Sequence, residues 1–218
     1  SVPRLLGIAP EPNPNFLILE YIESSAPKDG FASRFGQALA EMHKETQEQY
    51  GLNYDNFIGK TVQKNNLESD GLVFFREHRI RFQQKFARKT RGLPISIDKR
   101  LDLLCEKLET LLDLTDEKPA LLHGDLWSGN YFASHDQAPC IFDPAVYFGL
   151  READLAMTEM FGRLPEEFYR SYHEAFPIQP GYIKRKNIYN LYHLLNHYNL
   201  FGGSYLEQVN QTVRSFLD

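Results

Sequence analysis

The sequence predicts an α+β protein, mostly helical, with a β-hairpin set among its helices, and three observations carry that prediction. Apolar residues recur at helical spacing over residues 31–46, 71–90, 97–114 and most of the chain beyond Arg151. Short apolar runs of strand length, Phe16-Leu17-Ile18-Leu19 and Cys140-Ile141-Phe142, stand between turn-forming residues. Leu121-Leu122 then runs into a tight His123-Gly124-Asp125 turn, so strand and turn signals cluster at one point of a helical chain.

Taken in order, residues 16–20 form a strand after a Pro/Asn-rich turn at 10–15 and pair with the opening residues as a hairpin. Glu20-Tyr21-Ile22 ends that strand, and residues 24–30 are a linker. Phe31, Phe35, Ala38, Leu39 and Met42 mark an amphipathic helix, with His43 beside its apolar face as a packing residue. Residues 51–66 are polar and turn-rich, either a surface loop or a segment laid over a cleft. Helical patterning resumes through Leu72, Phe75, Arg79, Phe82 and Phe86, the Arg and Lys residues being its solvated face. Gly92-Leu93-Pro94 breaks this helix, and Leu101, Leu104, Leu108, Leu111 and Leu112 line the next. Residues 134–139 are the turn of the hairpin that follows His123-Gly124-Asp125. A helix over 151–161 opens with acidic residues, where the dipole favours them, and its Asp154 is placed to brace the loop before it. Helices over 165–175, 182–201 and 204–217 complete the chain; their many Tyr residues sit at core and interfacial spacings.

Composition narrows the function classes. A chain of 218 residues can bury a substantial core, and 42 % hydrophobic with 24 % charged residues is ordinary for a soluble globular protein. A net charge of −5, with basic residues scattered except over 76–91, argues against a nucleic-acid partner. No apolar run is long enough to span a bilayer and no signal peptide is visible, so no membrane partner is expected. The two cysteines, Cys105 and Cys140, lie in apolar runs and read as buried thiols in a reducing compartment. The expected location is cytoplasmic; the oligomeric state is not encoded in any recognisable pattern.

The stretch with chemistry in it is Leu121 to Asn130, L-L-H-G-D-L-W-S-G-N, followed by Ile141-Phe142-Asp143. A lone His-Gly-Asp is an ordinary turn. Phosphoryl transfer, however, needs one group to orient the attacking hydroxyl and oxygen ligands to hold divalent metal against the phosphates. Asp125 fits the first role. Asn130 stands at the interval that separates catalytic Asp from metal-binding Asn in kinase loops, and Asp143 ends the hairpin where a second metal ligand belongs. Asp-Pro-Ala at 143–145, in place of Asp-Phe-Gly, points away from protein kinases toward small-molecule kinases of the same fold. His123 reads as structural, fixing the loop by hydrogen bonding. Trp127, the single Trp, is either a packing anchor or a flat wall for a sugar or cation.

The chain resembles the fructosamine (ketosamine 3-) kinases, in the aminoglycoside-phosphotransferase and choline-kinase branch of the protein-kinase-like fold. The resemblance rests on F-L-I-L-E-Y-I at 16–22, D-N-F-I-G-K-T-V-Q-K-N at 55–65, F-F-R-E-H-R-I at 74–80, H-G-D-L-W-S-G-N at 123–130, I-F-D-P-A-V-Y-F-G at 141–149, R-E-A-D-L-A at 151–156 and L-F-G-G at 200–203. It implies phosphorylation, with ATP and Mg²⁺, of the 3-hydroxyl of a ketosamine formed when a sugar glycates an amine. The phosphorylated adduct then decomposes, a deglycation repair. By position it implies Asp125 as base, Asn130 and Asp143 as Mg²⁺ ligands, Glu20, Tyr21 and Ile22 as the adenine hinge, and Trp127 as a wall of the sugar site. It further implies that residues 1–23 are the end of an N-terminal β lobe plus the hinge, and 24–218 the helical catalytic lobe, with most of the β lobe and its phosphate loop absent from this chain and the chain as given inactive. Leu150 departs from the family's pattern, which has His there. Two other functions remain open on these residues: a kinase of another hydroxylated amine, such as an aminoglycoside or choline, and a non-catalytic binding module.

Overall fold

The computed structural model describes residues 1–8, 16–113 and 117–218. The turn expected at 10–15 and the last residue of the helix expected over 97–114 lie outside the described residues.

The opening hairpin forms as expected: β1 (Leu5–Ile8) pairs antiparallel with β2 (Leu17–Leu19), and its apolar side chains are exposed. Residues 24–30, expected as a linker, are not all linker. Its first residues make β3 (Ser24–Ser25), which pairs with β7 (Tyr131–Ser134), and β7 pairs in turn with β8 (Pro139–Ile141). β6 (Ala120–Leu122) is capped by β9 (Tyr147–Gly149). The polar stretch at 51–66 also carries a hairpin, β4 (Asn56–Ile58) and β5 (Thr61–Gln63).

The helices build two apolar cores. In the first, α1 (Phe31–His43) packs on α6 (Glu166–Ala175), with the Phe35 and Phe168 rings 5.1 Å apart, and the same cluster takes in Leu126 and Ala133. The second joins α4 (Ile95–Leu112), α7 (Tyr182–Phe201) and α8 (Tyr205–Leu217) through Leu101, Leu104, Leu195, Val209 and Val213, and takes in Leu122 and Ala145. The loop from Leu122 to Ala133 therefore starts in one core and ends in the other, which fixes it at both ends. Between them lies α5 (Glu152–Thr158), tied to α7 by the buried pair Glu152–Arg185 at 2.6 Å. Leu150 is buried just before this helix.

The helix expected over 71–90 departs from its pattern. It runs as α2 (Gly71–Phe74), a π-helical segment (Phe75–Arg81) and α3 (Phe82–Thr90). The wider π turn shifts the phase of the inward face. Arg79, whose spacing puts it with Leu72, Phe75, Phe82 and Phe86 but whose charge put it on the expected solvated face, is fully buried, its guanidinium 3.9 Å from the Tyr147 ring and 4.5 Å from the Phe74 ring. It donates to the Lys64 carbonyl and to Asn65 Oδ1. Cys105 and Cys140 are buried free thiols, as expected. Among the described residues, no helix is long and apolar enough to cross a membrane.

Candidate active site

The His123-Gly124-Asp125 turn is shaped from beneath by Asp154 on α5. Its Oδ2 accepts from the His123 backbone N–H at 2.7 Å, and its Oδ1 from Gly124 N–H at 2.9 Å. His43 Nε2 lies 3.3 Å from the same carboxylate, and His43 Nδ1 is 2.8 Å from the Tyr172 hydroxyl. Burial pushes the Asp154 carboxyl up, but His43, His123 and the Gly124 N–H outweigh it and hold it below the usual range. Asp154 thus braces the loop, and His43 serves as a packing residue with a defined partner. His123 closes the other side: its Nε2 donates to the Phe142 carbonyl at 3.0 Å, and Ala145 N–H donates to its own carbonyl at 2.8 Å. Gly124 has φ +79°, and a Cβ there would stand 2.1 Å from the Ala145 carbonyl oxygen, so only glycine fits.

On the open side of the turn, Asp125 is only partly exposed. Burial, with Asp143 and Asp154 nearby, pushes its carboxyl up to about 6, against the lowering effect of its contact with Asn130. Asn130, at the start of β7, donates through Nδ2 to the Asp125 carbonyl at 2.8 Å and lies 3.4 Å from Asp125 Oδ2. That donation leaves Asn130 Oδ1 without a donor among the described residues. Asp143 follows β8 in a left-handed turn conformation (φ +53°), which Asp tolerates better than most residues. Its side chain is exposed. Asn130 Oδ1 and the Asp143 carboxylate are hard oxygen donors of the kind Mg²⁺ takes, and among the described residues no cluster of three His, Cys, Asp or Glu side chains could hold a metal by itself. The set fits an ion that draws its remaining ligands from water and phosphates.

Asp125, Trp127, Asn130 and Asp143 line one cleft of about 460 Å³. The Trp127 ring is partly exposed into it, edge-on to Phe161 at 6.2 Å. The opposite wall comes from elsewhere in the sequence: Ile58 and Gly59 at the β4–β5 turn, and Asn196, His197, Phe201 and Tyr205 at the junction of α7 and α8. His197 stacks on Tyr205 at 5.0 Å and donates from Nδ1 to the His193 carbonyl at 2.8 Å, which leaves its Nε2 as an acceptor. These wall residues, and His193 behind them, were not among the site residues read from the sequence; polar His193, Asn196 and His197 at one-turn spacing on an otherwise buried helix were the available signal.

Glu20, Tyr21 and Ile22 do not line this cleft. Glu20 pairs with Arg4 at 3.0 Å and its N–H donates to the Arg4 carbonyl, while the Tyr21 side chain is 87 % exposed. β3, which follows them in the chain, pairs with β7, and β7 begins beside Asn130.

A loop strung between two helical cores, with Asp and Asn across a hairpin from a second Asp, is the catalytic framework of the protein-kinase-like fold. An aminoglycoside phosphotransferase solved with ADP bound superposes with a TM-score of 0.58 at 14 % identity, covering 97 % of this chain and 75 % of that one, a likeness of fold alone. The sequence profile of the fructosamine kinase family matches residues 1–218. A probable ketoamine kinase of Vibrio parahaemolyticus is 41 % identical over 220 residues, 99 % of this chain and 74 % of that protein. A solved structure from Thermobifida fusca, provisionally named a fructosamine-3-kinase, gives a TM-score of 0.90 at 31 % identity, over 99 % of this chain and 73 % of that one. The chain therefore belongs to the fructosamine kinase family, phosphotransferases that act on a hydroxyl acceptor.

Proposed function

We propose that the protein transfers the terminal phosphoryl group of ATP, with Mg²⁺, to the 3-hydroxyl of a ketosamine, a fructosamine or ribulosamine adduct of an amine or protein lysine. The observation that carries this reading is the convergence of Asp125, Asn130 and Asp143 on one cleft whose other walls are aromatic. Asp125 orients the attacking hydroxyl and accepts its proton; a carboxyl pushed up to about 6 is well matched to a base working near neutrality. Asn130 Oδ1 and Asp143 would hold Mg²⁺, which would neutralise charge on the phosphates when bound. Trp127 offers the sugar a flat apolar face, and His197 Nε2 offers its hydroxyls an acceptor. The Glu20 carbonyl and Ile22 N–H remain as adenine contacts, since the Glu20 N–H is taken by Arg4. On this reading, residues 1–23 form the nucleotide-side edge and hinge, and 24–218 the catalytic and substrate lobe.

The test is a mass-spectrometric assay of the protein with Mg-ATP and ribulose- or fructose-modified lysine. The expected result is a gain of one phosphate on the adduct. A phosphate gained by choline or an aminoglycoside, but not by either adduct, would overturn the substrate assignment.

A further inference from the structure

Behind the cleft, α7 aims a second histidine at the base. His193 is 4 % exposed, and its Nδ1 is buried with no hydrogen-bond partner among the described residues. Asp125 Oδ1 lies 4.0 Å away. We infer that His193 is a positioning residue for Asp125, its Nδ1–H closing onto Oδ1 when substrate and nucleotide fill the cleft. The inference rests on the reading of Asp125 as the base.

Three features support it. First, a buried polar atom with no partner is costly, and at a catalytic site such an atom commonly finds its partner in the loaded state. Second, the two Asp125 oxygens have matching surroundings: Asn130 Nδ2 stands 3.4 Å from Oδ2, and His193 Nδ1 stands 4.0 Å from Oδ1. Both contacts are longer than a good hydrogen bond, the condition of catalytic contacts that tighten only in the reactive complex. A carboxylate gripped from both sides keeps one lone pair on the incoming hydroxyl and loses rotational freedom, which is the geometric part of base catalysis. Third, His193 cannot form an ion pair at this distance and depth. Burial drives its imidazole pKa down to about 3, so it stays neutral and serves as a fixed dipole. The ring packs against the tilted Tyr192 ring, centroids 5.1 Å apart, and the His193 carbonyl accepts from His197.

The test compares His193→Leu and His193→Asn with Asp125→Asn, in the form of the protein that phosphorylates the adduct. An Asn amide places a donor where Nδ1 stands. His193→Leu is expected to lower kcat roughly 10- to 100-fold with both KM values within about twofold of wild type and unaltered melting, and His193→Asn to recover most of kcat. Wild-type kcat in His193→Leu, or a His193→Asn variant as slow as His193→Leu, would overturn the inference. Turnover that survives in Asp125→Asn would instead remove the base on which it rests. Should His193→Leu not fold, ¹⁵N NMR of the unmodified protein at pH 8 decides. A neutral Nδ1–H tautomer at His193 is expected, and an Nε2–H tautomer would turn a lone pair toward the carboxylate and exclude the donation.

Discussion

The two faces of the catalytic loop hold two aspartates in opposite states. Asp154, below the loop, is 1 % exposed yet held below the usual carboxylate range, because two backbone N–H groups and His43 supply its hydrogen bonds. Asp125, above it and more open, is pushed up to about 6, with burial first and two neighbouring carboxylates second among the causes. Depth alone would predict the reverse order. What sets a buried carboxylate's charge is whether donors were built around it, and the loop gives its backbone donors to Asp154, which shapes it, leaving Asp125, the proposed base, underserved.

That contrast can be broken by substitution, with effects in descending order. Asp143→Ala should abolish turnover, at least about 10³-fold or ~4 kcal/mol in the barrier, while melting changes by no more than a few degrees, since its side chain is exposed. Full turnover in that variant would remove Asp143 from the metal site. Asp154→Ala should act on the fold instead. It orphans two buried N–H groups and the His43 ring, at about 3–5 kcal/mol. A chain of 218 residues should then melt roughly 10 °C lower. Because the folded carboxyl of Asp154 titrates below its unfolded value of 3.8, its stabilisation is complete above that value and disappears as pH falls through the folded value. Acid unfolding curves of wild type and Asp154→Asn should therefore begin to converge as pH falls below the unfolded value of 3.8 and meet only below the folded one.

Asp125 has the opposite sign. Its folded pKa of about 6 lies above the unfolded 3.8, so its favourable contribution exists at low pH and is lost as pH rises through about 6. Asp125→Asn should be inactive yet more stable than wild type at pH 8, by about 1–3 kcal/mol in the metal-free protein. Equal stability would mean that the carboxylate is better solvated than its burial implies. The smallest effect belongs to the surface: Arg4→Ala removes an ion pair whose Arg is 76 % exposed, and the urea unfolding midpoint should stay where it is in the wild type.

The loop was legible in the sequence because its chemistry dictates residue type and spacing within a short local hairpin. Asp125, Asn130 and Asp143 need no distant partner to be recognised. The opposite wall was not, because its His197 and Tyr205 approach the loop only after α7 and α8 have packed, and a helix rich in Tyr, Asn and His looks like core until its neighbours are known. Arg79 shares the helical spacing of Leu72, Phe75, Phe82 and Phe86, but its charge assigned it to the solvated face; the Phe74 and Tyr147 rings and the Lys64 and Asn65 acceptors that make its burial possible come together only in the folded chain. β3 and β9 are two and three residues long, set by their partners and not by their own pattern. The β4–β5 hairpin could have been read: Asn56-Phe57-Ile58 and Thr61-Val62-Gln63 flank Gly59-Lys60, a two-residue turn with φ +56° at the glycine.

Two separate fastenings join the opening segment to the β7–β8 hairpin. Ile141 N–H of β8 donates to the Ser1 carbonyl at 3.0 Å, and β3 pairs with β7 at Ser134 and Ala133. A body held at two points turns only about the line that joins them, as a door does on its hinges. Here both pins sit on the strands that flank Asn130 and Asp143, so a load on the opening segment passes into that hairpin through backbone hydrogen bonds.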